Sequence, residues 1–205
     1  MHRNRNGKTQ GSQPDGRLPE IERLGDLFKT MVVNHESYQK VWRNIPLGKE
    51  AFDIMRQLPD VVPGEIEGLA DKASLLSNML SVMEELTTPR FCLSVREYIH
   101  DCCPDDKENN AAMERLKDYI DPAVSNEEWS RRHGGRTLKF DPVERSEAWE
   151  EVIYEAEKEC DKRIGNEPRG MGFCFGYWSA LHNALEKRGV EWRNPRQMNP
   201  HVLFD

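Results

Sequence analysis

The amino-acid sequence predicts an all-α protein, a multi-helix bundle followed by a C-terminal helical hairpin and an irregular tail. Apolar residues recur at alternating spacings of three and four through most of the chain, which is the period of one face of an α-helix. Proline, glycine and capping residues stand between these stripes, where helices start and stop. The 205 residues are enough for one domain with a sizeable core, so no metal or disulfide is needed to support the fold.

Changes in composition divide the chain into four regions. Residues 1-17 are basic and polar and predict a disordered arm, because they offer almost nothing to bury. Residues 18-121 predict an N-terminal helical bundle and residues 122-140 an irregular basic linker. Residues 141-205 predict a C-terminal helical hairpin with an aromatic tail.

The first three helices follow from their apolar stripes. One stripe continues for almost four heptads, over residues 21–45. A short helix over residues 49–58 follows it, between Pro46 and Pro59. The segment 63–86 has two adjacent stripes, which is typical of a helix at the centre of a bundle. Coiled-coil dimerisation through this segment is the alternative.

The next elements follow from their start signals. Thr88, which precedes a proline, predicts a helix that continues to residue 102. Asp105, with a glutamate three residues later, resembles a reciprocal cap and predicts a further helix. Residues 137–140 form either a short strand or a merely extended segment, because a lone strand has no partner for its hydrogen bonds.

Asp141 begins the most complete helix start in the chain, with a proline next to it and a glutamate at the third position. The helix that it predicts has an apolar face and a strongly acidic face, which we expect to be solvated. Two glycines, Gly170 and Gly172, precede another helix, and Gly189 closes it. The apolar end of the tail is expected to pack back onto the body.

The composition argues against several functional classes. The formal net charge of -7 favours solubility and does not suit a surface that coats nucleic acid. No apolar run approaches the roughly 20 residues of a membrane span, and the first residues lack the apolar core of a signal peptide. The 5 cysteines are an odd number without framework spacing, which is typical of reduced thiols. We therefore expect a soluble, cytoplasmic protein, and no residue pattern calls for a cofactor.

Two groups of residues are candidates for enzyme chemistry. His100, Cys102 and Cys103 are of the types that bind zinc, but structural zinc needs spaced pairs of ligands. We therefore expect an ordinary helix end there, with one buried thiol. Cys174 and His182 are eight residues apart on one helix, too far for a hydrogen bond between thiol and imidazole. A small metal- or thiol-dependent enzyme would need the fold to bring such residues together.

A basic group in the linker is the candidate for nucleic-acid binding. It comprises Arg131, Arg132, Arg136 and Lys139, which stand around two glycines. Clustered Arg and Lys side chains contact phosphates, but no known reading motif accompanies this group. We expect these side chains to face the acidic helix after residue 141, or solvent.

The C-terminal region is rich in aromatic residues. The candidate partner-binding residues are Tyr177, Trp178, Trp192, Arg193 and Phe204, because Trp, Tyr and Arg often anchor protein interfaces. A small aromatic core beneath the tail is the interpretation that we prefer for the rings themselves, since a compact hairpin needs large apolar side chains.

The helical stripes, the aromatic tail and the lack of a convincing catalytic set favour a non-enzymatic interaction or assembly protein. Its partner would be another protein or a second copy of the chain. A small enzyme with a site assembled from the residues named above, and a nucleic-acid-binding accessory factor, are the alternatives.

Overall fold

The structure is a computed structural model that describes residues 18–37, 40–58, 71–134 and 138–204. Within these ranges the chain forms nine α-helices and two short 3₁₀ helices, and no strand. The predicted all-α fold is confirmed, and α7 and α8 pack side by side as the predicted hairpin. The basic arm predicted for residues 1–17 lies outside the described ranges.

The helices are α1 (Leu18–Glu36), α2 (Asn44–Gln57), α3 (Lys72–Ser81), α4 (Pro89–Cys102), α5 (Lys107–Ile120), α6 (Asn126–His133), α7 (Glu147–Ile164), α8 (Phe173–Glu186) and α9 (Pro195–Met198). The 3₁₀ helices are Val41–Arg43 and Pro142–Arg145. None of the helices in the described part of the chain is long and apolar enough to cross a membrane.

Helices α1 to α4 share the largest hydrophobic core. Its most deeply buried members include Leu27, Met31, Met55, Leu76, Met79, Val95 and Ile99. In α3, Leu76 and Met79 are buried by residues of the neighbouring helices of this chain, which agrees with a central position in the bundle. Gly48 allows the side chain of Met83 to pack close to α2, because a Cβ there would lie 2.7 Å from the Met83 sulfur and the side chain would have to shift.

The prediction of one stripe over residues 21–45 was wrong, because the chain turns within it. Helix α1 ends at Glu36, and Ile45 belongs to α2. The buried amide of Asn44 holds this turn: its Nδ2 donates to the carbonyls of Met31, at 2.9 Å, and Val82, at 2.8 Å. The apolar residues of α1 face the core of α1 to α4, whereas Trp42 and Ile45, after the turn, pack in the core of α7 and α8. The sequence shows only their common spacing, so the two sets look like one continuous face.

Further predicted helix limits differ from the structure, since α2 starts at Asn44 and not at residue 49. Helix α3 covers Lys72–Ser81, and the chain then turns until residue 88, whereas residues 63–70 lie outside the described ranges. Helix α5 is capped by Asp106, whose side chain accepts from the backbone N–H groups of Glu108 and Asn109, both at 3.0 Å. The cap therefore lies one residue after the predicted Asp105.

The linker contains a helix, α6, and a small aromatic core of its own. Ser125 caps α6 by accepting from the N–H of Glu128 at 3.1 Å. Trp129 is fully buried, and its ring lies 5.3 Å from Tyr119, which in turn stacks on Phe140 at 5.6 Å. These contacts attach α6 to the end of α5 and to Phe140.

Residues 138–140 have no regular secondary structure and do not form a strand. The side chain of Asn199 takes the place of a neighbouring strand: its Oδ1 accepts from Lys139 N–H at 2.8 Å, and its Nδ2 donates to Lys139 C=O at 2.7 Å. The backbone of the linker is therefore satisfied by a side chain from the tail.

The predicted helix start at Asp141 is present, but it opens a 3₁₀ turn. Asp141 and Glu144 form the predicted capping box around Pro142–Arg145, and α7 starts separately after a second cap, Ser146. The interruption places the buried side chain of Arg145 against the end of α5. Its guanidinium donates to the carbonyls of Asp118 (2.9 Å), Tyr119, Asp121 (3.1 Å) and Val124 (2.6 Å) and to Asn126 Oδ1 (3.2 Å).

The hairpin of α7 and α8 encloses a second core. Its buried members include Trp149, Ile153, Ala156, Cys160, Leu181, Ala184, Leu185 and Trp192. Gly172 begins α8 with φ 85°, and Gly189 follows its end with φ 79°, a left-handed backbone that glycine adopts without strain. The Val190 N–H donates back to the carbonyl of Leu185 at 3.1 Å, so the predicted closure by Gly189 is confirmed.

Candidate protein-interaction surface

Exposed apolar side chains are concentrated at the start of α8 and in the tail. Of the seven large apolar residues exposed in the described ranges, four lie in this region: Met171, Phe175, Val202 and Leu203. Met171 is 94 % exposed and Leu203 97 %. Single exposed apolar residues are normal on a protein surface, but a concentration of them marks an interaction site.

Aromatic contacts join Phe175 of α8 to the tail, next to which the other exposed residues lie in the chain. Trp178 lies edge-on to Phe175, with ring centroids 5.6 Å apart, and edge-on to Phe204, at 5.1 Å. The guanidinium of Arg196 lies 5.3 Å from the Phe175 ring. The tail thus folds back on α8 at Phe204, while the adjacent Leu203 faces solvent. We call this set the α8–tail surface: Met171, Phe175, Trp178, Arg196, Val202, Leu203 and Phe204.

Trp178 and Phe204 are the predicted partner-binding residues that lie on the α8–tail surface. Trp192 is only 4 % exposed, packs against Trp149 and donates from Nε1 to Glu144 at 2.9 Å. Tyr177 is half-buried and donates its hydroxyl hydrogen to Glu157. Trp192 is therefore part of the small aromatic core that the sequence also suggested, and Tyr177 connects the two helices of the hairpin.

Arg193 fixes the start of the tail. Its backbone N–H and its Nε donate to Asp141 Oδ2, at 2.8 and 3.0 Å. Burial acts to raise the pKa of Asp141, but the hydrogen bonds from Arg193 and from the Val143 N–H hold it below its usual value. The cap of the 3₁₀ turn is thus also the anchor of the tail, and Asn199 provides the second anchor at Lys139.

Met171, Phe175, Val202 and Leu203 are not among the partner-binding residues predicted from the sequence. A single apolar residue in a turn or at the end of a chain does not reveal whether it is covered. Their positions in the sequence could have indicated exposure, because Met171 lies between two glycines before α8, and Val202 and Leu203 follow an Asn-Pro turn.

The residues proposed for enzyme chemistry lie apart from this surface or are engaged elsewhere. His100 Nδ1 lies 2.7 Å from Asn110 Oδ1, and Cys102 and Cys103 are both exposed, so the expectation of one buried thiol was wrong. No group of three or more His, Cys, Asp or Glu within the described ranges is arranged to hold a metal.

Cys174 and His182 both lie on α8. Cys174 is half-buried, and His182 Nδ1 lies 2.8 Å from the Trp192 carbonyl. Because a carbonyl only accepts hydrogen bonds, Nδ1 carries the proton and Nε2 is the basic nitrogen of the neutral ring. The imidazole is thus held by the tail, and an enzymatic role of this residue stays a prediction.

The basic side chains of the linker are paired with nearby acids. Arg131 and Arg132 both bond to Glu128 at 2.7 Å, and their hydrogen bonds lower the pKa of Glu128 to about 2. Lys139 lies 3.4 Å from Glu127, while Arg136 lies outside the described ranges. A phosphate would have to displace these carboxylates, so the described part of this group does not favour nucleic-acid binding.

The acidic face of α7, expected to be solvated, has structural roles at two positions. Glu150 accepts from the backbone N–H groups of Arg90, at 3.0 Å, and Phe91, at 2.8 Å, and so caps α4. Glu157 is half-buried, and its carboxylate accepts the hydrogen of Tyr177. Burial raises the pKa of Glu157 to about 7, against the hydrogen bond from Tyr177, which lowers it.

No protein family, curated protein or solved structure matches this chain.

Proposed function

We propose that the protein is a non-enzymatic, cytoplasmic interaction or assembly protein that binds a partner protein through the α8–tail surface. The observation that carries this proposal is the concentration of exposed Met171, Phe175, Val202 and Leu203 around the aromatic contacts of Trp178. A surface of this kind loses unfavourable contact with water when a partner covers it.

The positive charge of Arg196, on the α8–tail surface, indicates the chemistry of the partner. Arg196 makes no ion pair with any residue in the described ranges, and its guanidinium lies against the Phe175 ring. Aromatic residues and arginines of this kind are typical anchors of protein interfaces. The complementary segment of a partner would present apolar side chains together with a carboxylate that reaches Arg196.

Paired substitutions test this proposal. Met171→Asp with Leu203→Asp places two charges on the α8–tail surface, and Val33→Asp, at a residue of α1 that is 60 % exposed, is the matched control. The tagged proteins are captured from their own cells at near-physiological salt, and each co-purifying protein is quantified. We expect a stoichiometric partner with the native chain and the control, reduced at least about tenfold by the paired substitution, because each buried leucine or methionine contributes roughly 1.5–3 kcal/mol.

Equal recovery of the same proteins with all three variants would contradict the proposal. Sedimentation of the purified chain over a concentration series distinguishes self-association from a heterologous partner. Concentration-dependent dimers that the paired substitution abolishes would show that a second copy covers this surface instead.

A further inference from the structure

A separate cleft lies between the 3₁₀ turn Val41–Arg43, α7 and α8. Its walls include Trp42, Glu157, Cys160, Asp161, Phe173 and Tyr177, and we call it the Glu157 cleft. The cleft encloses about 240 Å³ including its open mouth, and its enclosed part has room for one group of the size of a water molecule.

The two carboxylates of the cleft differ in their partners. Asp161 is paired with Arg43 at 2.7 Å. Glu157 accepts only from the Tyr177 hydroxyl and makes no ion pair with any residue in the described ranges. The negative charges of Glu84 and Asp161 act on it from the neighbouring segments and oppose its ionisation. A cation beside Glu157 would favour the ionised carboxylate and so offset the effect of these negative charges.

Aromatic rings form the other walls, and cations of the chain itself already lie on two of them. The guanidinium of Arg43 lies 5.3 Å from the Trp42 ring, and that of Arg169 lies 5.0 Å from the Phe173 ring. The faces of aromatic rings attract cations through their quadrupoles. The rings of the cleft thus suit the alkyl part of an organic cation, whose charge would be held by Glu157 because the two guanidinium groups already lie on ring faces.

We propose that the Glu157 cleft binds the head of a primary ammonium group, either of a free alkylamine or of a lysine side chain. The ammonium donates to the Glu157 carboxylate and to the lone pairs of the Tyr177 hydroxyl, and its alkyl stem leaves through the open mouth beside Trp42 and Phe173. The size of the enclosed part admits this head and excludes a trimethylammonium head. This site does not depend on the α8–tail surface.

Titration calorimetry of the whole chain with ethylammonium chloride at pH 8 tests the proposal. We expect a Kd on the order of 1 mM, because a ligand of three heavy atoms gains at most about 1.5 kcal/mol per atom. Tetramethylammonium chloride is the size control and is expected not to bind. Affinity should fall about tenfold from pH 8 to pH 6, since the carboxylate, whose pKa is raised to about 7, must lose its proton.

Glu157→Gln keeps an acceptor for Tyr177 but removes the charge, and it is expected to abolish binding. Glu155→Gln, at an exposed residue of the same helix, is the matched control and should bind like the native chain. Thermal melts show that both variants fold. Retained binding in Glu157→Gln, equal binding of tetramethylammonium, or no binding of ethylammonium by the native chain at 50-fold the expected Kd of about 1 mM would each overturn the proposal.

Two further ligands identify the source of the ammonium group. Butylammonium represents a free amine, and Nα-acetyl-lysine methylamide represents a lysine within a protein. Tighter binding of the lysine derivative would support a lysine side chain of a partner, and equal or weaker binding would support a free alkylamine.

Discussion

Removing the guanidinium of Arg145 should destabilise the protein far more than removing any exposed arginine. Helix α5 ends at Ile120, and the last carbonyls of a helix have no partner within it. Asp121 N–H satisfies the carbonyl of Lys117, and Arg145 satisfies those of Asp118 and Tyr119. The five N–H donors of a guanidinium match its five acceptors at this site, so Arg145→Ala would remove all of these bonds together.

The expected loss of stability in Arg145→Ala is estimated from the two most buried acceptors. The bonds to the carbonyls of Tyr119 and Val124 are fully buried, and a buried acceptor that loses its partner costs about 1–3 kcal/mol. Water can reach the other, partly exposed acceptors, and the substitution also relieves the desolvation that lowers the pKa of Arg145. We therefore expect a loss of about 3–5 kcal/mol in the free energy of unfolding. For a chain of this length this loss lowers the Tm by about 6–20 °C.

Urea unfolding at pH 7, followed by circular dichroism, measures this loss. Arg145→Lys is expected to recover less than half of it, because an ammonium has three donors and cannot reach acceptors arranged around a planar fork. Arg131→Ala, whose side chain is 72 % exposed, is the control and should change the free energy of unfolding by less than about 0.5 kcal/mol. If Arg145→Ala and Arg131→Ala agreed within about 1 kcal/mol, the reasoning from the helix end would be refuted.

Three further outcomes are expected. Folding raises the pKa of Glu157 from 4.5 to about 7, so the folded chain should lose about 1–3 kcal/mol of stability as the pH rises between these values. Urea unfolding at pH 5 and pH 8 measures this loss, and an equal change in Glu157→Gln would contradict it. Asn44→Leu leaves two backbone carbonyls without their donor and should cost about 2–4 kcal/mol in thermal unfolding, whereas a loss below about 0.5 kcal/mol would argue against a structural role of this amide. Asn199→Ala should speed amide hydrogen exchange in residues 138–140 at least about tenfold, and unchanged exchange would show that the tail does not hold this segment.

The elements that the sequence predicts correctly are those with local signals. The start of α4 after Thr88, the capping box at Asp141 and the closure of α8 by Gly189 all depend on residues within one or two turns of each other. Apolar periodicity likewise predicts the all-α class, because each helix has one face toward a core. These features need no knowledge of what lies across the fold.

The errors arise where distant residues decide the outcome. Glu150 caps α4 from a position about 60 residues further along the chain, and no local sequence pattern indicates that role. The turn at Asn44 depends on carbonyls from two other segments. At the candidate surface, residue type suggested Trp178 and Trp192 equally, and only packing separates the half-buried ring from the fully buried one.

The anchors at Asp141 and Lys139 also order the events of biosynthesis. Asp141, just after the linker, binds Arg193, and Lys139 of the linker binds Asn199, so the tail residues are synthesised 52 and 60 residues later than their partners. While the ribosome is still making α7 and α8, the linker therefore has no partner for the backbone groups of Lys139. The N-terminal bundle has its contacts nearer in sequence and can form first. We expect a nascent chain arrested before residue 193 to present a folded bundle and a protease-sensitive linker, which closes only when the tail emerges.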